Sequence, residues 1–169
     1  MNIQNSTPED ISEIFRLYEL ATKFQKTTFP ENTWPDFERK LVETEIQEKR
    51  QFKMVIDNQI ACVWAVAFND PQIWEAQDVD PSIYIHRIAT NPDFRGRQFV
   101  MAIVTWAKTY AVSHKKKFIR MDTCGNNHRL IKHYENCGFN FLGMVRLNNT
   151  DELPPHYENA DVCLFEIKL

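Results

Sequence analysis

Apolar residues at Ile11, Ile14, Phe15, Tyr18 and Ala21 recur every three or four positions, the spacing of one helical face. Thr7 offers a capping hydroxyl just before them and Pro8 suits a first-turn position, so a first helix is predicted there. A second, charged helix is predicted from Trp34-Pro35-Asp36 to about Arg50, with Phe37, Leu41, Val42 and Ile46 on one stripe. Between the two, residues 22–33 hold Phe24, Phe29 and Pro30, and these aromatics read either as core packing or as the lining of a substrate pocket. The period then changes. Residues 52–56 and 60–68 are rich in β-branched and aromatic side chains around Asp57-Asn58, which predicts a β-hairpin.

Residues 69–81 carry Asp70, Pro71, Glu75, Asp78, Asp80 and Pro81 around Trp74, and so predict a loop. Its acidity is that of a solvated surface or of a stretch that steers a cationic acceptor. Residues 83–89 read as a strand, the run from Pro92 to Gly96 breaks it, and Phe99, Val100, Ile103, Val104, Trp106, Ala107 and Tyr110 start a helix. That helix ends in His114-Lys115-Lys116-Lys117, where positive charge suits the dipole, and 118–121 return as a strand. A right-handed β-α-β crossover results. Asn126-Asn127 cap a helix to about Asn136, Gly138 ends it, and residues 139–145 and 161–169 read as strands.

Composition narrows the classes. A chain of 169 residues with 43% apolar and 25% charged residues predicts a single globular domain over 1–169, neither disordered nor fibrous. Lys+Arg 20 against Asp+Glu 23 gives net −3, so no basic field is present for nonspecific nucleic-acid binding and no nucleic-acid partner is expected. The apolar run at residues 61–68 falls well short of the roughly 20 residues a membrane helix needs, so no membrane association is expected. Met1-Asn2-Ile3-Gln4-Asn5 lacks the regions of a secretory signal, which points to the cytoplasm and to free, mostly buried thiols at Cys62, Cys124, Cys137 and Cys163. Only four glycines occur, and neither a dinucleotide-binding G-x-G-x-x-G nor a P-loop is present.

Two segments could carry chemistry. In Asn91-Pro92-Asp93-Phe94-Arg95-Gly96-Arg97-Gln98-Phe99-Val100, a strand turns into a helix beside two arginines. The amides of a first helical turn are unpaired and partly positive, and Arg95 and Arg97 can add charge-assisted bonds, so the turn suits phosphate. In the second segment Asn127, Leu130, Ile131 and Tyr134 share neighbouring faces of a helix that ends at Gly138-Phe139. Tyr134 reads there as an amphipathic core residue with its hydroxyl at the rim or as a proton donor, and Asn127 could bond a ligand amide. Cys124 and Cys137 near His128 and His133 fit no common zinc spacing, so no metal is expected, and buried thiols with solvated histidines account for them.

Taken together, the two segments resemble the GNAT superfamily of acyl-CoA-dependent N-acetyltransferases. The closest likeness runs from about Ile83 to Gly143, and the order of elements fits over nearly the whole chain. The family's phosphate motif is Arg or Gln, two residues, Gly, one residue, then Gly or Ala, and it falls on Arg95, Gln98 and Val100, so both small positions are replaced. Cys137-Gly138-Phe139 resembles the usual end of the following helix. The resemblance implies an α/β (α+β) fold with a mixed, splayed sheet of about six to seven strands and four helices. Acetyl-CoA would lie between the strands at 83–89 and 118–122, contacted by Ile88, Ala89, Thr90, Arg95, Gly96, Arg97, Gln98, Phe99, Val100, Asn127 and Leu130. Tyr134 takes the place of the tyrosine that protonates the departing coenzyme A thiolate.

The activity so implied is direct acetyl transfer from acetyl-CoA to a primary amine of a small molecule or peptide. A protonated amine needs a base, and His86 is the nearest titratable residue before Ile88, though a lone strand histidine is commonly structural. The rival reading is a non-catalytic acyl-CoA-binding or interaction module on the same fold. The rigid stretch Leu153-Pro154-Pro155-His156-Tyr157 is open to two readings, a border of the acceptor site or a homodimer contact.

Overall fold

The computed structural model describes residues 1–30, 33–147, 150, 151, 153, 155–158 and 160–169. Among them lie β1 Asn2–Asn5, α1 Ile11–Thr28, α2 Arg39–Gln47, β2 Gln51–Ile56, β3 Gln59–Ala67, α3 Pro71–Trp74, β4 Ser82–Thr90, α4 Phe99–Ser113, β5 Phe118–Cys124, α5 His128–Asn136, β6 Asn140–Arg146 and β7 Asp161–Lys168. The seven strands run in the order β1-β2-β3-β4-β5-β7-β6, so the expected mixed α/β class holds. The chain divides into two compact units, Met1–Val66 with His86–Phe99, and Ala67–Ile85 with Val100–Leu169. Strand β4 passes from one to the other after Ile85.

In the first unit, Asp57 (φ 49) and Asn58 (φ 60) both adopt the left-handed conformation that a two-residue hairpin turn requires. Helices α1 and α2 bury Ile11, Ile14, Leu17, Tyr18, Val42 and Ile46 with Val63 and Ala89. Helix α1 runs on to Thr28, beyond the irregular stretch expected from residue 22, because no breaker intervenes before Pro30. Helix α2 starts at Arg39 rather than Trp34. The residues before it serve packing instead: Trp34 and Phe37 set their rings 5.9 and 5.3 Å from that of Tyr18. Strand β1, which pairs Asn2 with Val55, goes beyond the sequence pattern, because a polar edge strand has no apolar alternation to reveal it.

In the second unit, β4 and β5 pair in parallel only at Ser82–Phe118, Ile83–Ile119 and Tyr84–Arg120. Strand β5 stays paired to β7 along its whole length, to Cys124 opposite Val162. The expected splay is visible here as a parallel ladder that stops at Tyr84. The segment predicted as a loop, 69–81, instead holds α3 and a 3-10 turn, Glu75–Val79, which brings the helices to five rather than four. Trp74 is buried with Ile73, Tyr84, Val162 and Leu164.

Arg120 explains how this segment is held. Only 2% exposed, it donates through Nε to Glu166 at 2.8 Å, through Nη2 to Asp80 at 2.7 Å and through Nη1 to the Gln77 carbonyl at 2.6 Å. Its guanidinium lies 4.5 Å from the Trp74 ring and 4.9 Å from that of Phe118. Cys62, Cys137 and Cys163 are buried, Cys124 is partly so, and all four are free thiols. Among the described residues no helix is long and apolar enough to cross a membrane. Of the rigid stretch 153–157, Pro154 lies outside the described residues.

Candidate functional site

The strand end and the loop after it belong to the first unit. Asn91 fastens them: its amide donates to the Ala61 carbonyl at 2.9 Å, its side chain to the Ile60 carbonyl at 3.2 Å, and its Oδ1 accepts from the Asp93 amide at 3.2 Å. The last bond caps the 3-10 turn Pro92–Phe94. Gly96 then takes φ 81 and Gln98 φ 55. A Cβ on Gly96 would meet nothing within 4 Å, so glycine is needed there for conformation and not for room. Gln98 holds the same left-handed region with a side chain in place.

The two arginines of the loop rest on aromatic faces. Arg95 lies 4.5 Å from the Phe24 ring and Arg97 5.3 Å from that of Phe94. Phe24, read from sequence as core or pocket lining, lies outside the core, 49% exposed near the end of α1. The signal that could have placed it is the continued spacing Tyr18, Ala21, Phe24, which extends the α1 stripe.

Along β4, Ala89 is buried, Ile88 and Thr90 are half-buried, and Thr90 Oγ1 lies 3.7 Å from Cys62 Sγ. His86 is half-buried, and burial reinforced by Arg87 and Arg50 pushes its pKa down to about 3, so the imidazole is neutral at ordinary pH. Arg87, at φ 51, interrupts the regular strand directly after it.

The second unit carries Val100, Asn127, Leu130 and Tyr134. Asn127 accepts the Leu130 amide at 3.0 Å and so caps α5, which commits Oδ1. Tyr134 is 8% exposed, with its ring 5.2 Å from Phe165 and 6.2 Å from Phe139 in edge-on contacts. The structure thus gathers Asn127, Leu130 and Tyr134 on α5, and His86, Ile88, Ala89, Thr90 and Arg95 to Phe99 in the other unit.

Sequence reasoning missed one group here. Tyr157 donates its hydroxyl to Asp122 Oδ2 at 2.7 Å. Burial, with Asp122 and Asp78 nearby, pushes Asp70 up to about 8, and burial pushes Asp122 up to about 6. No motif links these positions, since Tyr157 and Asp122 are 35 residues apart. By the same physics burial pushes the Cys62 and Cys124 thiols up to about 12, away from the thiolate form.

A profile of the acetyltransferase (GNAT) family matches residues 13–139. The chain belongs to the GNAT family of acetyltransferases. A GNAT acetyltransferase from Listeria monocytogenes 4b F2365 superposes with a TM-score of 0.78 at 18% identity, over 99% of this chain and 94% of that one. A ribosomal-protein-alanine N-acetyltransferase from Brucella melitensis does so at 0.71 and 12% identity, over 100% of both chains. These likenesses show the GNAT fold. In sequence the chain is 30% identical over 74 residues to the uncharacterized N-acetyltransferase YesJ of Bacillus subtilis (strain 168), a match spanning 44% of this chain and 41% of that relative.

Proposed function

We propose that this GNAT acetyltransferase takes its acetyl group from acetyl-CoA and passes it directly to a primary amine of a small molecule or peptide. The observation that carries the reading is the loop before α4. Gln98, where the family motif has glycine, keeps a left-handed backbone at φ 55, the conformation that a glycine there would supply. The first-turn amides of α4 suit pyrophosphate oxygens, and Arg95 and Arg97 add charge-assisted bonds. Both guanidiniums lie against rings, an arrangement that keeps their N–H edges available to an anion.

In this reading the backbone of Ile88, Ala89 and Thr90 pairs with the pantetheine as an added strand would, and the Asn127 NH2 reaches its amide. An amide at Ile88 or Ala89 receives the negative charge that develops on the thioester oxygen as the amine attacks. Tyr134 gives its proton to the departing sulfur, so that coenzyme A leaves as a thiol. His86 is placed to take the proton the amine loses, directly or through water, although burial pushes its pKa down to about 3 and makes it a weak base. That two similar proteins are named N-acetyltransferases supports a nitrogen acceptor.

Titration calorimetry with acetyl-CoA, followed by a thiol-release assay over a panel of primary amines, tests the proposal. Saturable binding with amine-dependent thiol release is the expected result. Binding without turnover on any amine would turn the protein into an acyl-CoA-binding module, and no binding at all would overturn the donor assignment.

A further inference from the structure

Arg87 is the one residue of β4 in the left-handed region, with φ 51. A side chain is disfavoured there, and such a conformation persists only where the surroundings over-determine it. Those surroundings are specific. The Arg87 side chain is 14% exposed, its Nη2 donates to Glu45 Oε1, its Nε donates to the Tyr18 hydroxyl at 3.4 Å, and its guanidinium lies 5.4 Å from the Phe37 ring. Glu45, in α2, is 4% exposed, and Tyr18, in α1, is 3% exposed. One strand residue is therefore held by both helices and by the segment joining them.

Arg87 leads directly into the short span 88–90. The far end of that span is also fixed, by the Thr90–Cys62 contact and by the Asn91 amide on the Ala61 carbonyl. Burial along β4 changes at the same place, from four buried residues, Ser82 to Ile85, to three half-buried in succession, His86, Arg87 and Ile88, as expected where an irregular residue re-aims a strand. The direction of the 88–90 amides is thus set by the conformation of Arg87.

We propose that Arg87, clamped by Glu45 and Tyr18, is a positioning residue that holds the backbone of Ile88, Ala89 and Thr90 in the orientation that receives the acyl donor. The inference rests on the acetyl-CoA reading for its purpose and on the first unit alone for its geometry. It explains why a buried cation and carboxylate, costly to desolvate, occupy a place where apolar packing would serve stability as well.

The test uses Glu45→Gln, which keeps the shape and removes the charge, and Tyr18→Phe, which removes only the hydroxyl. Glu45 Oε2 is buried with no hydrogen-bond partner among the described residues, so the glutamine displaces no further bond there. Amide hydrogen exchange at 88–90 is compared with that at 119–121, and acetyl-CoA affinity and kcat are measured on the same proteins. Glu45→Gln is expected to speed exchange at 88–90 about tenfold with 119–121 unchanged, and to raise the acetyl-CoA Kd about tenfold. Its kcat at saturating donor should stay within about threefold of wild type. Tyr18→Phe should act in the same direction with about threefold effects. Exchange at 88–90 that matches wild type, or rises only in step with 119–121, would overturn the proposal, and so would an unchanged Kd. A wild type that binds no acetyl-CoA defeats the donor reading separately, and the exchange comparison then decides the clamp by itself.

Discussion

Phe24 stands half in solvent under Arg95, an arrangement that no local pattern announces, because the ring and the cation come from opposite ends of the first unit. An exposed cation–aromatic contact contributes about 0.5–1 kcal/mol, so Phe24→Ala should weaken acetyl-CoA binding by roughly 2- to 5-fold while the urea midpoint hardly moves. An equal affinity measured by calorimetry would show that Arg95 needs no such platform. Tyr134 is the opposite case, a buried ring whose edge-on neighbours Phe165 and Phe139 serve packing whatever its hydroxyl does. Tyr134→Phe keeps that packing and should lower kcat about 10²-fold with acetyl-CoA affinity unchanged, the scale of a lost general acid. A kcat equal to wild type on a good amine would remove the hydroxyl from the chemistry.

The segment 69–81 shows how an element can be misread while its composition is read correctly. Its acids are real, but Asp80 is spent on Arg120 and the Asp78 carboxylate accepts the Asp70 amide at 2.7 Å, so much of the charge is structural. Arg120→Met should destabilise the protein by about 3 kcal/mol in urea unfolding, because it strands the partly buried Glu166 and frees the Trp74 face. Loss of less than about 1 kcal/mol would mean that the segment is held by Trp74 alone. The elements legible in the sequence are those with strong periodicity or a turn signal: the hairpin at Asp57-Asn58, α4, and α5 between Asn127 and Gly138. Those that are not legible depend on distant partners. Strand β1 exists because β2 offers an edge, α3 because Trp74 finds Tyr84, and the late start of α2 because Trp34 and Phe37 find Tyr18. In the candidate site, Arg95 and Tyr134 can be located by spacing, whereas the Asp122–Tyr157 bond and the Glu45–Arg87 clamp cannot.

Across the molecule, buried titratable groups bias stability in opposite directions. His86 and His156, pushed by burial down to about 3 and about 4, stay neutral in the fold but bind protons in the unfolded chain below about pH 6.5, so stability falls as pH drops below that point. Asp70 and Asp122, raised to about 8 and about 6, bind more protons folded than unfolded, and their contribution falls as pH rises from about 4 toward those values. Of these four groups Asp70 changes most between about pH 6.5 and 8, so the urea midpoint should decline over that window. Asp70→Asn, which mimics the protonated acid, should flatten the decline and unfold later than wild type at about pH 8.5. A wild-type midpoint that rises from about pH 6.5 to 8.5 would contradict this assignment.

The pairing of Glu45 with Arg87 has a further consequence during synthesis. The two residues are 42 positions apart, and Asn91, which fastens the strand end to Ala61, comes later still. At about 5–20 residues per second, a nascent chain that has made α2 waits roughly 2–8 seconds for the strand residue that bonds its inward-facing carboxylate. Until then Glu45 has only Arg50, whose Nη1 lies 3.9 Å from Oε1, and lacks the bond that joins α2 to β4. The bond proposed to aim the strand is thus one that the first half of the chain cannot make by itself.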